Sequence, residues 1–225
     1  RLFGHYLISI PFAEIGGVLA DTPEIAQALI QAAADLTDAK QAQYLELRNR
    51  NPLPEFKTKS LYHNFSKAIS SDHDENLNAI PRKSRAMVRN AVKKGLSAEI
   101  GHHLLPVFYD ILALNYHRLG TPIFPKQFFI HFLNEYQSAA DILVVRTPSG
   151  DPAAAVLFFI FKDRMVPYYA GSDFIHKHLG PNDFMYWELM KHAVDRNCRI
   201  FDYGRSKEGT GSFRFKKHWG FEPVP

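Results

Sequence analysis

Two stretches of this 225-residue sequence concentrate groups that could do chemistry. Near the end, a short apolar run leads into Asp202-Tyr203-Gly204-Arg205-Ser206, and after a glycine-containing bend come Arg214-Phe215-Lys216-Lys217. A lysine held beside an aromatic ring can offer positive charge to the oxyanion that forms when a nucleophile adds to an acyl carbonyl. Asp202 can accept a proton from an attacking amine or can anchor Arg205, and the sequence leaves both open. The plainer alternative makes Arg214, Lys216 and Lys217 three surface charges.

The second stretch is basic. Arg82, Lys83, Arg85, Arg89, Lys93 and Lys94 lie in a region with no acid between Glu75 and Glu99. Arg82, Arg85, Arg89 and Lys93 follow at spacings of three and four, which puts them on one face of a helix. Met87, Val88, Ala91 and Val92 then fall largely on the opposite, packing side. Like charges in one stripe repel unless an anion answers them, and phosphates are the natural answer. A solvated helix face whose last lysines complement the helix dipole is the competing reading. Arg118, just before Gly120-Thr121-Pro122, is either a bidentate ligand for phosphate or carboxylate or a helix-terminal arginine on the last carbonyls.

Elements must position these groups. Tyr6 to Pro11 and Gln43 to Arg48 read as strands, Pro23 to Leu36 as a Thr22- or Asp21-capped helix, and Phe56 to Ile69 as a strand pair or a strand and loop. Ser70 to Asn78 is polar, acidic and without apolar period, and reads as a boundary. A helix from Pro81 to Lys94 with Gly95 as its stop is followed by a strand at Ser97 to Ile100. Helices are expected at Leu104 to Leu119 and Lys126 to Tyr136. Three meander strands follow: Ile142 to Arg146, Ala153 to Phe161 and Met165 to Gly171. A helix over Asn182 to Arg196, a strand over Arg199 to Tyr203 and a short helix or turn over Gly209 to Trp219 complete the pattern. Helices set against a mostly antiparallel sheet define an α+β fold.

Bulk properties restrict the rest. A net charge of +4, from 27 Lys and Arg against 23 Asp and Glu, gives no case for DNA as a partner. The single cysteine, Cys198, can form no intrachain disulfide and fits the cytoplasm. No apolar run is long enough for a transmembrane segment. Among the eleven histidines there is no zinc or metalloprotease spacing, so no metal is expected. The opening Arg1 and a strand beginning at Phe221 read as a chain cut from a longer one.

Six segments in order resemble the FemAB family, in the branch associated with exopolysaccharide and PEP-CTERM protein-sorting loci. They are Ser9-Ile10-Pro11-Phe12 with Gly16-Gly17, Glu46-Leu47-Arg48, Pro81 to Arg89, Arg118 to Pro122, Phe201 to Ser206, and Gly211 to Phe221. The resemblance implies tandem GNAT-like acyltransferase domains: residues 1–75 a partial first domain and residues 80–225 a second. It implies an N-acyltransferase in cell-envelope (peptidoglycan-type) or exopolysaccharide assembly. Lys216 and Asp202 would be catalytic, with Phe215 stacking beside Lys216. Arg82, Arg85, Arg89, Arg118, Tyr203, Arg205 and Phe215 would bind substrate.

The implied donor is aminoacyl-tRNA or acyl-CoA, and the implied acceptor is a phosphate-bearing envelope or polysaccharide precursor. Peptidoglycan-building members carry a long helical arm and use aminoacyl-tRNA. This chain has no room for the arm, which sets it apart from them. Acetyl-CoA enzymes of the GNAT class seat pyrophosphate on a Q/RxxGxG/A turn. The equivalent His176 to Asp183 has one glycine, and Pro181 removes a donor, which counts against ordinary CoA binding. A non-catalytic module binding a phosphorylated glycan or lipid-linked precursor is the alternative, and RNA binding by the basic helix a third.

Overall fold

A sheet whose central strands are buried on both faces organises the larger part of the chain. The computed structural model describes residues 4–10, 13–49 and 51–224, so Pro11 and Phe12 lie outside the described residues. The chain divides into two compact units, Arg1–Ser60 and Leu61–Pro225.

In the first unit, β1 (Leu7–Ile8) pairs in parallel with β2 (Leu45–Glu46), and the Tyr6 and Tyr44 rings stack at 4.9 Å beside them. Helix α1 (Pro23–Ala39) lies between the two strands in sequence. Thr22 caps it by accepting from the Ile25 N–H, and Pro23 fills a first-turn position that needs no donor.

The second unit holds a six-stranded sheet in the order β3-β8-β7-β6-β5-β4. Its strands are β3 (Tyr62–Ala68), β4 (Ser97–Ile100), β5 (Ala140–Arg146), β6 (Pro152–Phe161), β7 (Arg164–Ser172) and β8 (Ile200–Lys207). Every pairing is antiparallel except β7 with β8. Side chains on a strand alternate between faces, and here both faces are covered. Leu143, Val145, Val156 and Phe158 join one core under α3 (Arg82–Lys93), α6 (Pro181–Asp195) and α7 (Gly211–His218). Ile142, Val144, Ala155 and Leu157 join a second core under α4 (Leu105–Leu119) and α5 (Lys126–Tyr136). That is why β5 and β6 read as continuous apolar runs.

Residues 61–75, expected to close the first domain, belong to the second unit. Strand β3 pairs along β8 from Tyr62↔Lys207 to Ala68↔Ile200, and Phe65 is fully buried in the larger core. The expected boundary at 70–78 is instead α2 (His73–Ala79). Its Asp72 cap accepts from the Glu75 N–H at 2.7 Å, and buried Asn76 bonds both ways with Ser70. The helix was hidden because seven residues carry too little apolar period to show.

Helix α3 forms where the sequence predicts it, but its packing side is narrower. Ser84, Val88 and Ala91 are buried, while Met87 and Val92 stay 43% and 51% exposed.

Candidate active site

Strand β8 runs parallel to β7 for two residue pairs, Arg164↔Ile200 and Met165↔Phe201. Beyond them no pairing continues, so the two strands part towards their C-terminal ends. Strand β7 is itself irregular there: its register with β6 shifts between Leu157↔Tyr169 and Phe158↔Pro167, which leaves Tyr168 as the extra residue. Strand β8 also bulges, since its register with β3 shifts between Asn64 and Ser66, opposite Tyr203 and Gly204. Gly204 has φ of 62°, a conformation that suits glycine.

The two residues singled out for catalysis hold this bulge together. The Lys216 ammonium, on α7, donates to the carbonyls of Tyr203 (2.7 Å), Gly204 (3.1 Å) and Arg205 (3.1 Å). Lys216 is 8% exposed, so it is no surface charge, whereas Arg214 and Lys217 are exposed. The ammonium thus answers three carbonyls of the bend at once, and a buried carbonyl without a donor is costly. Its ammonium lies over the rings of Phe65 (5.4 Å) and Tyr203 (5.9 Å). The expected ring partner, Phe215, packs instead against Tyr186 and Trp219, because successive helical residues point to different sides.

Asp202 ties the same bend from its other end. Its Oδ1 accepts from the Gly204 N–H at 2.9 Å and its Oδ2 from Arg164 Nη1 at 2.7 Å. The anchor partner is thus Arg164 and not Arg205, whose guanidinium lies 4.7 Å above the Tyr62 ring. Arg164 escaped the sequence reading because Lys162-Asp163-Arg164 resembles an ordinary charged turn. Tyr203 sits in the core at 5% exposure with its hydroxyl unpartnered. Burial, with Tyr186 and Asp183 nearby, holds its pKa well above the usual tyrosine value.

Arg118 stands near the far end of β7, at the C-terminus of α4. The last carbonyls of α4 are taken by the Gly120 and Thr121 N–H groups. Arg118 itself donates to Asn115 Oδ1 at 3.1 Å and lies over the Phe174 ring at 5.6 Å. On α3, Arg82, Arg89 and Lys93 are exposed, while Arg85 is drawn down to Asn78, donating to its carbonyl at 2.9 Å and to Oδ1 at 3.2 Å. The structure therefore gathers Asp202, Tyr203, Arg205 and Lys216 around one bend, with Phe215 beside the Tyr203 ring at 6.4 Å. The basic helix forms a separate group.

The start of α6 packs against α3, with Asn182 left exposed. Gly180, at φ of 76°, and Pro181 are buried. A Cβ at Gly180 would meet Met87 and Ala91 of α3 at 3.6–3.8 Å. The Lys94 ammonium donates to the His178 carbonyl just ahead of it. Asp183, in the first turn, accepts from Trp219 Nε1 at 3.0 Å, and burial raises its pKa above the ordinary carboxyl value, outweighing that hydrogen bond. Between the ordinary and the raised pKa the folded state keeps a proton that the unfolded chain has released. Stability therefore falls as pH rises through that window. Asp183→Asn keeps an oxygen for Trp219 and should remove this slope. Melting curves from about pH 4 to about pH 7 should show a flatter profile for the variant and a higher midpoint at the upper end. An unchanged slope would mean that Asp183 titrates normally.

A family model described as an acetyltransferase (GNAT) domain matches residues 82–217. The chain belongs to that family. No curated protein matches it. Among solved structures, a crystal structure of FemX aligns at a TM-score of 0.71 and 16% identity, covering 97% of this chain and 78% of that one. The C-terminal domain of a putative lysylphosphatidylglycerol synthetase from Agrobacterium fabrum aligns at 0.61 and 14%, covering 90% and 72%. A tandem GNAT protein from the clavulanic acid biosynthesis pathway aligns at 0.56 and 10%, covering 91% and 68%. Identities this low speak for the fold, which is the α+β GNAT fold. Among the described residues no helix is long and apolar enough to cross a membrane.

Proposed function

We propose that the chain is a FemAB-type N-acyltransferase that joins an aminoacyl group to an amine during cell-envelope or exopolysaccharide assembly, in the cytoplasm where charged tRNA is made. The observation that carries the choice of donor is the burial of Gly180 and Pro181 at the start of α6. A CoA pyrophosphate would need open backbone N–H groups at that helix end. It would meet buried Gly180 and Pro181, the flank of α3 and the Asp183 side chain. That packing speaks against acyl-CoA as the donor. An aminoacyl ester on tRNA has no such requirement. In this reading residues 1–60 are the remainder of a first GNAT-like domain, which the likeness covering 97% of the chain supports.

The reaction forms a C–N bond and breaks a C–O bond, with the amine proton passing to the departing ester oxygen, which leaves as a hydroxyl. Asp202 and Lys216 act as positioning residues: they fix the backbone of residues 203–205 where β8 leaves β7. Arg118 and Arg205 stand towards the open ends of the strands and meet anionic parts of the substrates. Arg82, Arg89 and Lys93 offer an exposed cationic face to phosphates of the donor or of the precursor.

A thermal-shift titration with acetyl-CoA and longer acyl-CoAs tests the donor. A ligand that binds the folded state must raise the melting temperature. No rise at millimolar ligand is expected, and a concentration-dependent rise would overturn the reading. The engagement of both Asp202 and Lys216 in internal bonds favours a second reading, a non-catalytic module that holds a phosphorylated glycan or lipid-linked precursor. It predicts binding that falls when Arg82, Arg85 and Arg89 are changed together, with no donor consumed.

A further inference from the structure

Immediately after β7 the chain makes a 3₁₀ turn, Phe174–Leu179. Its first two residues are apolar and point outward: Phe174 is 58% exposed and Ile175 75%. They are not frayed ends. Asp173 caps the turn by accepting from the Ile175 N–H at 3.0 Å, and Gly180 closes it in the left-handed conformation. Leu114, 57% exposed, lies one helical turn before Arg118 on the same side of α4. A fixed turn that shows water its largest apolar side chains costs solvation unless something covers them.

The charges around this tip have one sign. Arg118 and Lys177 both lie over the Phe174 ring, at 5.6 and 5.3 Å. The Lys94 bond to His178 brings the C-terminal end of α3 and exposed Lys93 alongside. His176 and His178 complete the turn. From Arg164 to Asn182 the single acid is Asp173, which is spent on the cap. The next acid back along that side of α4, Asp110, is two turns (about 12 Å) away.

We propose that this end of the second unit docks on an anionic lipid surface, with Phe174 and Ile175 entering the headgroup region and Lys177 meeting lipid phosphates. Exposed apolar side chains ringed by cations are what an anionic bilayer interface selects. An RNA partner would use the cations but leave aliphatic Ile175 and Leu114 without a role, since bases stack on aromatic rings. The turn follows directly from β7, so docking would set the parting ends of β7 and β8 towards the lipid. The inference goes beyond the acyl-transfer reading and does not depend on it, because its test contains no donor.

The test is flotation of the purified chain with vesicles of phosphatidylcholine alone or mixed equally with phosphatidylglycerol. Binding to the mixed vesicles, weak binding to neutral ones and release by high salt are expected. Phe174→Ser with Ile175→Ser should lower partition about tenfold or more at an unchanged melting temperature, and Lys177→Glu about fivefold. Absence of binding to the mixed vesicles would overturn the proposal. So would equal binding by the double serine variant, or binding competed by an RNA homopolymer and unaffected by the serine changes.

Discussion

Lys216→Met should destabilise the second unit by about 3–5 kcal/mol and, where the variant still folds, lower kcat/KM about a hundredfold. Methionine has the length to fill the space but no hydrogen to donate. The three carbonyls of residues 203–205 would then lose the donor they share, and each that finds no other donor costs about 1–3 kcal/mol, part of which entering water can relieve. The activity loss has a separate origin. The bulge at Gly204 sets where β8 leaves β7, and displacement of a reacting group by about 1 Å can cost a hundredfold in rate. Urea unfolding measures the first effect and a transfer assay the second. Unchanged stability would mean that the ammonium is not bonded to these carbonyls in solution.

Gly171→Val should cost about 3 kcal/mol or more, and Gly171→Ala less, by overpacking the contact between α4 and β7. A Cβ at Gly171 would stand 3.2 Å from the Ile111 carbonyl oxygen, 3.3 Å from Leu112 Cα and 3.2 Å from Asn115 Cβ. Two of these atoms are helix backbone, so relief requires α4 to move as a body. That movement would carry Asn115 and Arg118 with it, so the valine variant should also bind its anionic substrate more weakly. Urea unfolding of the alanine and valine variants gives the comparison, and wild-type stability for valine would contradict such close packing.

The sequence revealed elements where a period or a punctuating residue was strong. The helix over Lys126–Tyr136 and the strand over Ser97–Ile100 form where expected, and Gly95 and Gly120 end helices in the left-handed conformation. It hid what depends on partners distant in the chain. Tyr62–Ala68 looks like any half-polar strand, and its place beside β8 follows from Phe65 needing the larger core. The Asp202–Arg164 bond joins residues 38 apart. The rings under the Lys216 ammonium include Phe65, about 150 residues earlier, whereas the resemblance implied Phe215 in its place. The signal that could have located the bend was Gly204 inside a strand, which often marks a bulge.

The central claim is aminoacyl transfer from an ester donor, and one measurement meets it directly. Charged tRNA bearing a labelled amino acid would be incubated with the chain and an amine-bearing envelope precursor, and label would be counted in base-stable amide product. The account predicts that label moves from ester to amide, that acyl-CoA does not substitute as donor, and that Lys216→Met slows the transfer about a hundredfold. Undiminished ester label alongside consumption of an acyl-CoA would contradict it.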